Sequence, residues 1–186
     1  MLYHIAEPQA GYFTTAQGNA AGYSRQQLSY HARSGRFTRI RPGIYRLALF
    51  PASPYEDLFV ALLRLGSDAV LSHQTALALY ELSDALPAEI HATIPRSKSR
   101  RHPGLRLHTN SLRPDEVTQL YGLPVTTPLR TMADVAQGGL SDELVTQAIR
   151  QSIERGLATA PSLLDAAAQY GGRVGALIRC VLKEGE

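Results

Sequence analysis

The chain has 186 residues, of which 44% are hydrophobic and 19% charged, for a formal net charge of +3. That composition excludes a disordered or collagen-like chain, and there is no apolar run of about 18 residues of the kind a membrane-spanning helix needs. One cysteine, Cys180, excludes an internal disulfide and fits a reducing compartment.

The opening residues MLYHIAEPQAG lack the charged and apolar regions of a secretory signal, so a cytoplasmic location is expected. Leu2 to Ala6 is a short apolar piece that reads as a first helix, ended by Pro8 and Gly11. Thr14-Thr15-Ala16-Gln17 is a capping box that opens a second helix running to about Ala21. Backbone amides at such a helix start favour an anion, which makes Thr14 and Thr15 candidates for a phosphate contact. Gly22 supplies the turn into a second capping box, Ser24 with Gln27. In the helix that follows, Leu28, Ala32 and His31 can face a core. Arg25, Gln26, Ser29, Tyr30 and Arg33 make a polar, long-armed face at the same helical spacing. Ser34-Gly35 stops the helix. Two short strands are predicted next, Phe37 to Ile40 and Ile44 to Leu47, joined at Arg41-Pro42-Gly43.

Helix, break and basic hairpin in that order describe a winged helix-turn-helix, with the helix in the major groove and the hairpin flanking the backbone. Charge supports the assignment. Over residues 1 to 54 there are six arginines and one acid, Glu7, or +5; the other residues carry thirteen bases against fifteen acids, or −2. A positive field gathered at one end is what a phosphate-binding module requires. The candidate DNA contacts are therefore Thr14, Thr15, Ser24, Arg25, Gln26, Ser29, Tyr30 and Arg33, with Arg39 and Arg41 on the wing.

The two prolines between Ala48 and Pro54 mark a predicted boundary, dividing a domain over residues 1–50 from one over 55–186. Ser53-Pro54-Tyr55-Glu56 combines N-cap, proline and glutamate at a helix start, with Tyr55, Leu58, Phe59, Leu62 and Leu65 as its buried stripe and Gly66 as its end. Ala69 to Leu71 is a brief strand, and Ser72 caps a helix through Leu82. Residues 89 to 94 then alternate, Ile90, Ala92 and Ile94 inward against Glu89, His91 and Thr93 outward. Leu105, Leu107 and Thr109 alternate likewise against Arg106 and His108, and residues 117 to 126 form two strands turned at Tyr121-Gly122. A small, half-exposed, antiparallel or mixed sheet is expected. From Thr127 the pattern turns helical, with caps at Thr127 and Ser141 and further helices near 162–170 and 173–183. The fold class is α+β: a winged helix-turn-helix followed by a mixed domain with a small sheet and C-terminal helices.

Chemistry is sparse outside the first domain. Arg96, Lys98, Arg100, Arg101 and His102 read as a solvated loop between strands, with a second contact to nucleic acid or an acidic partner as the alternative. Cys180 shares a helical pattern with Val174, Leu177, Ile178, Val181 and Leu182, so it reads as a helix-surface or interface thiol rather than a nucleophile. No two histidines or carboxylates sit at a ligand spacing on one helix, and His91 with His108 from adjacent strands is too small a set, so no metal and no cofactor are expected. Arg130 and Asp134, on the exposed or domain-facing side of their helix, read as a local i, i+4 ion pair worth a few tenths of a kcal/mol. Nucleotidyl transfer needs a Gly-Ser phosphate contact and two carboxylates for divalent ions; Gly66-Ser67 is followed by Glu89 alone. With no nucleophile-elbow or phosphate-loop motif either, no enzymatic activity is expected.

The segments GYFTTAQGNAAGYSRQQLSYHARSGRFTRIRPGIYRL, AVLSHQTALALYEL, EIHATIP and GLPVTTPLRTMADVA together resemble the AbiEi-type antitoxins, the regulatory half of bacterial abortive-infection toxin–antitoxin pairs. The resemblance implies an N-terminal domain that represses its own operon at inverted repeats. It also implies a second domain needed to neutralise a nucleotidyltransferase-like toxin without a stable complex. Some relatives continue into a nuclease domain, for which 186 residues leave no room. The expected function is thus a DNA-binding autorepressor and antitoxin, monomeric in solution and paired on DNA. The alternative is a stand-alone regulator whose second domain senses a ligand or mediates assembly.

Overall fold

The computed structural model describes residues 1–98 and 102–184, the side chain of Lys98 excepted. Arg100 and Arg101 of the expected basic loop lie outside the described residues. The architecture is α+β, in two compact units: Met1–Asp68 with Tyr121–Leu123, and Ala69–Leu120 with Pro124–Glu186.

The first unit is a winged helix-turn-helix. It runs α1 (Leu2–Ala6), β1 (Tyr12–Thr14), α2 (Thr15–Ala20), α3 (Arg25–Arg33), β2 (Phe37–Arg41), β3 (Ile44–Leu47) and α4 (Glu56–Leu65). Its antiparallel sheet has the order β1-β3-β2, with Phe13 opposite Tyr45 and Arg39 opposite Tyr45 from the other side. β1 is not apparent from the sequence: three residues cannot display an alternating pattern, and this strand exists because β3 offers it a free edge. The core joins Leu2, Ala6, Phe13, Leu28, Phe37, Tyr45 and Leu47. Phe13 lies edge-on to Phe37 at 5.2 Å and stacked on Tyr45 at 5.6 Å between ring centres, the geometries that aromatic quadrupoles favour.

The unit extends past the prolines where the chain was expected to divide. α4 belongs to it because Tyr12 stacks on Phe59 at 5.4 Å and donates from its hydroxyl to Glu56 Oε2 at 2.9 Å. The helix starts later than its signature suggests. Ser53 Oγ accepts from the Tyr55 amide at 3.1 Å, which makes a local turn, and Tyr55 becomes the N-cap. Gly11 is where the unit tolerates least. Its φ of +85° is left-handed, and an added Cβ would sit 2.5 Å from Phe50 Cγ. Gly11→Ala combines backbone strain with overpacking and is expected to cost about 2–4 kcal/mol. Urea unfolding followed by circular dichroism reads this directly; an unchanged midpoint would refute it.

The second unit contains β4 (Val70–Leu71), α5 (His73–Leu79), β5 (Ile90–Thr93), β6 (Leu105–His108), β7 (Val117–Leu120), β8 (Leu123–Thr126), α6 (Pro128–Gln137), α7 (Asp142–Glu154), α8 (Ala160–Tyr170) and α9 (Gly172–Glu184). Its sheet is mixed, in the order β6-β5-β4-β8-β7. The β5–β6 and β4–β8 pairs are parallel and β4–β5 is antiparallel. The half-exposed sheet expected from alternation is not observed at β5, where His91, Ala92, Thr93 and Ile94 are all buried. α5 covers the polar face and supplies its partners: Thr75 Oγ1 accepts from the His91 amide at 2.8 Å, and Thr93 Oγ1 donates to Ser72 Oγ at 2.8 Å. Ser72 therefore does not cap α5 with its side chain, and the helix ends at Leu79 rather than Leu82.

Candidate nucleic-acid interface

α3 is placed by local chemistry before any tertiary contact acts. Ser24 Oγ accepts from the Gln27 amide at 3.2 Å, and the Ser24 amide donates to Gln27 Oε1 at 2.8 Å, which satisfies two of the orphan donors at the helix start. One buried residue, Leu28, anchors the helix. Gly18 on α2 lets the two helices approach closely, since a Cβ there would meet Leu28 Cδ2 at 3.0 Å. Everything else that was expected to read DNA faces outward: Ser24, Arg25, Gln26, Ser29, Tyr30 and Arg33 are all exposed. Tyr30 is 60% exposed, a large aromatic left on the surface of a polar helix. Among the described residues, the side chains of Arg25, Gln26, Ser29 and Arg33 have no intramolecular hydrogen bond or ion pair. Their donors and acceptors are open to an external partner.

The other expected contacts divide. Thr14 is occupied as the N-cap of α2, accepting from the Gln17 amide at 3.1 Å. Thr15 gives both its amide (2.8 Å) and its hydroxyl (3.3 Å) to Gly43 O, tying the start of α2 to the tip of the wing. These two threonines cap α2 and tie it to the wing, and fewer free amides are left at that helix start than the sequence implies. On the wing, Arg39 is exposed, whereas Arg41 Nη2 lies 3.0 Å from Asp57 Oδ1 of α4. Both partners are well exposed, so this pair contributes little to stability and is open to competition by phosphate.

Arg46 does not belong to the surface field, although it counts in the basic stretch. Its side chain is only 13% exposed, 3.8 Å from Glu56 Oε2, with its guanidinium 5.7 Å from the centre of the Tyr12 ring. Over residues 1–68 the charge is seven bases against four acids, or +3, because α4 brings Glu56 and Asp57 into the unit and Asp68 ends it. The positive field is smaller than a count to residue 54 indicates. Arg96, in the second unit, is exposed on a single helical turn.

The second unit holds a buried polar cluster that the sequence disguises. His73, His91 and His108 meet beside the sheet: His73 stacks on His108 with ring centres 3.4 Å apart, and His108 Nε2 is 3.2 Å from His91 Nδ1. Burial holds His73 at about 3 and His108 at about 4, with the neighbouring rings and Arg106 pushing the same way; burial and Arg106 lower His91 too. His91 and His108 thus come together as adjacent strands allow, but inside the fold and uncharged. Among the described residues no group of three or more His, Cys, Asp or Glu is arranged to hold a metal ion.

Beside the histidines, Arg130 and Asp134 are 8% and 2% exposed, so theirs is a buried pair and not the weak local one expected. Arg130 donates from Nε to Asp134 Oδ1 at 2.9 Å and from Nη1 to Glu116 Oε2 at 3.0 Å, and Tyr170 Oη donates to Glu116 Oε1 at 2.7 Å. Burial would raise Glu116, but the Arg113 amide, Tyr170 and Arg130 outweigh it and lower its pKa. Burial wins at Asp134, which is raised despite Arg130; its Oδ2 has no hydrogen-bond donor. Helical spacing showed the Arg130–Asp134 pair, but no local pattern could show that Glu116 and Tyr170, distant in sequence, enclose it. Cys180 is exposed, as its helical pattern allowed. No described helix is long and apolar enough to cross a membrane.

Residues 1–48 match the family model described as a transcriptional regulator, AbiEi antitoxin. The matched segment ends one residue after β3, so it spans the helix-turn-helix and its wing and stops before α4. Among curated proteins none matches this chain. Among solved structures, the chain is similar to the RV2827C protein from Mycobacterium tuberculosis, at 15% identity and a TM-score of 0.47, over 98% of this chain and 79% of that one.

Proposed function

We propose that this protein is a cytoplasmic, double-stranded DNA-binding autorepressor of its own operon and the antitoxin of an AbiE-like type IV toxin–antitoxin pair, with no catalytic activity of its own. The exposed face of α3 carries the reading: five side chains able to contact base edges or phosphates, four of them with no side-chain hydrogen bond or ion pair, held on a helix that its capping box and Leu28 fix in place. The match of residues 1–48 to antitoxin regulators supports it. Its partners on this reading are inverted repeats in its own promoter and, functionally, a nucleotidyltransferase-like toxin that it neutralises without a stable complex. A gel shift with the protein's own promoter region tests the DNA assignment; equal affinity for random duplex would defeat it. Because the match stops before the second unit, a stand-alone regulator whose second unit senses a ligand or mediates assembly is the second reading. A co-transcribed nucleotidyltransferase-like gene separates the two.

Arg25 and Gln26 occupy the first turn of α3, where a recognition helix reaches deepest, and their side chains suit bidentate contacts to guanine and adenine. Arg25→Ala or Gln26→Ala is expected to lose about 1–3 kcal/mol on the operator and to relax discrimination at one base pair. Equal losses on operator and random DNA would make them backbone contacts instead. Arg39→Ala should weaken binding to all sequences alike and lower the salt slope by about 1. Arg41→Ala should do so by less, because Arg41 must first leave Asp57.

A single winged helix reads few base pairs, and operators gain selectivity from paired half-sites. On this reading two chains occupy one inverted repeat, and they come together on DNA.

A further inference from the structure

We infer that Tyr30 reads the 5-methyl group of a thymine in the DNA site, an inference that deepens the DNA reading proposed above and rests on it. Leu28, the buried anchor of α3, belongs to the core of the first unit. At about 100° per residue, Gln26 and Tyr30 each stand about 160° from Leu28 around the helix. Tyr30 therefore lies in the middle of the outward face, with Gln26 one turn before it and Arg33 one turn after. It is 60% exposed, and among the described residues its hydroxyl has no hydrogen bond. The rest of that face is Arg25, Gln26, Ser29 and Arg33, so Tyr30 supplies its large apolar surface.

The ring is also braced from behind. It meets His31 edge-on at 5.4 Å between ring centres, and His31 in turn lies 5.1 Å from Phe37 and 5.5 Å from Tyr23. Phe37 is part of the core, so Tyr30 is the outer member of an aromatic row that starts inside the unit. A side chain held this way has less freedom to lose when it binds. The chemistry of the groove then selects the target. Base edges in the major groove present hydrogen-bond donors and acceptors, and the C5-methyl group of thymine is the apolar feature among them. Arg25 and Gln26 suit the polar features. The Tyr30 ring suits the methyl.

The test uses the full-length chain and duplexes of its own promoter region in which thymines are replaced by deoxyuridine, one position at a time. Deoxyuridine keeps the base pairing and removes only the methyl group. The readout is the ratio of affinities for the thymine and uracil duplexes. Wild type is expected to lose about fourfold at one thymine per bound chain, the effect of burying one methyl group. Tyr30→Ala should bring the ratio at that position to about one, and Tyr30→Phe, which keeps the ring, should retain it. A wild-type protein indifferent to the methyl at every position, or a Tyr30→Ala protein that keeps the ratio, overturns the inference. So does a Tyr30→Phe protein that loses the ratio, since the hydroxyl would then be the reading group. If wild type binds the promoter duplex no better than random DNA, the DNA reading fails and this inference with it.

Discussion

Arg130→Met is expected to destabilise the second unit by about 3–5 kcal/mol, the cost of removing one partner from a buried ion network. Methionine preserves most of the stem's volume, so the loss isolates the charge. Glu116 would keep Tyr170 and the Arg113 amide, but Asp134, 2% exposed, would have no cation left beside it. Urea unfolding of the full chain, followed by circular dichroism, reads the shift in midpoint. Adding Asp134→Asn to Arg130→Met should recover part of the loss, because it removes the stranded charge. A single variant within about 0.5 kcal/mol of wild type would place the pair effectively at the surface and contradict the observed burial.

The histidine cluster gives the second large effect, and its sign follows from the direction of the shifts. His73 at about 3, His108 at about 4 and a lowered His91 all bind protons less readily in the fold than in the unfolded chain, where a histidine titrates near 6.5. Their contribution is fully present above about pH 6.5 and declines as the pH falls from there toward the folded values. The groups facing them are Arg106 on β6 and Arg130 and Asp134 on α6; the arginines oppose protonation of His73. Asp134, whose pKa is raised, binds its proton more readily in the fold and works in the opposite sense as the pH falls from that raised value to about 4. Between pH 7 and pH 5 stability should fall by about 3 kcal/mol from His73 and His108, with half-buried His108 discounted for solvent, and His91 adds in the same direction. Thermal melts across this range measure the slope. His108→Phe, which keeps a flat ring against His73, should flatten it. A melting temperature independent of pH from 7 to 5 would show that the cluster takes up protons without opening.

The parts of the interface that were legible in the sequence are local ones. The two capping boxes, Thr14 with Gln17 and Ser24 with Gln27, and the turn between them are built from residues close along the chain, and both form as their spacing requires. The same holds for the exposed face of α3, because the helical repeat puts Arg25, Gln26, Ser29, Tyr30 and Arg33 on one side over just more than two turns, whatever lies beneath. The wing hairpin was equally readable from Arg41-Pro42-Gly43.

Alternation misled at β5. Polar residues at every second position predict a solvated face, but the His91 ring meets His108 and the Thr93 hydroxyl meets Ser72, the N-cap of a covering helix. A buried polar face and an exposed one share the same two-residue period, and only the packing of α5 decides between them. The i, i+4 spacing of Arg130 and Asp134 likewise specifies that they touch, not the dielectric in which they do so.

By itself the sequence determined the starts of α2 and α3, the outward face of α3 and the helix-and-hairpin order of the winged module, because each rests on hydrogen bonds and spacings that span a few residues. Tertiary structure decided what those residues are free to do. It withdrew Thr14 and Thr15 into the frame and buried Arg46 against Tyr12. It brought Asp57 to Arg41 and carried α4 into the first unit. It also gathered three histidines from α5, β5 and β6 into one neutral cluster. Each of these outcomes joins residues brought together by packing, and burial and partner choice depend on which surfaces the whole chain removes from water.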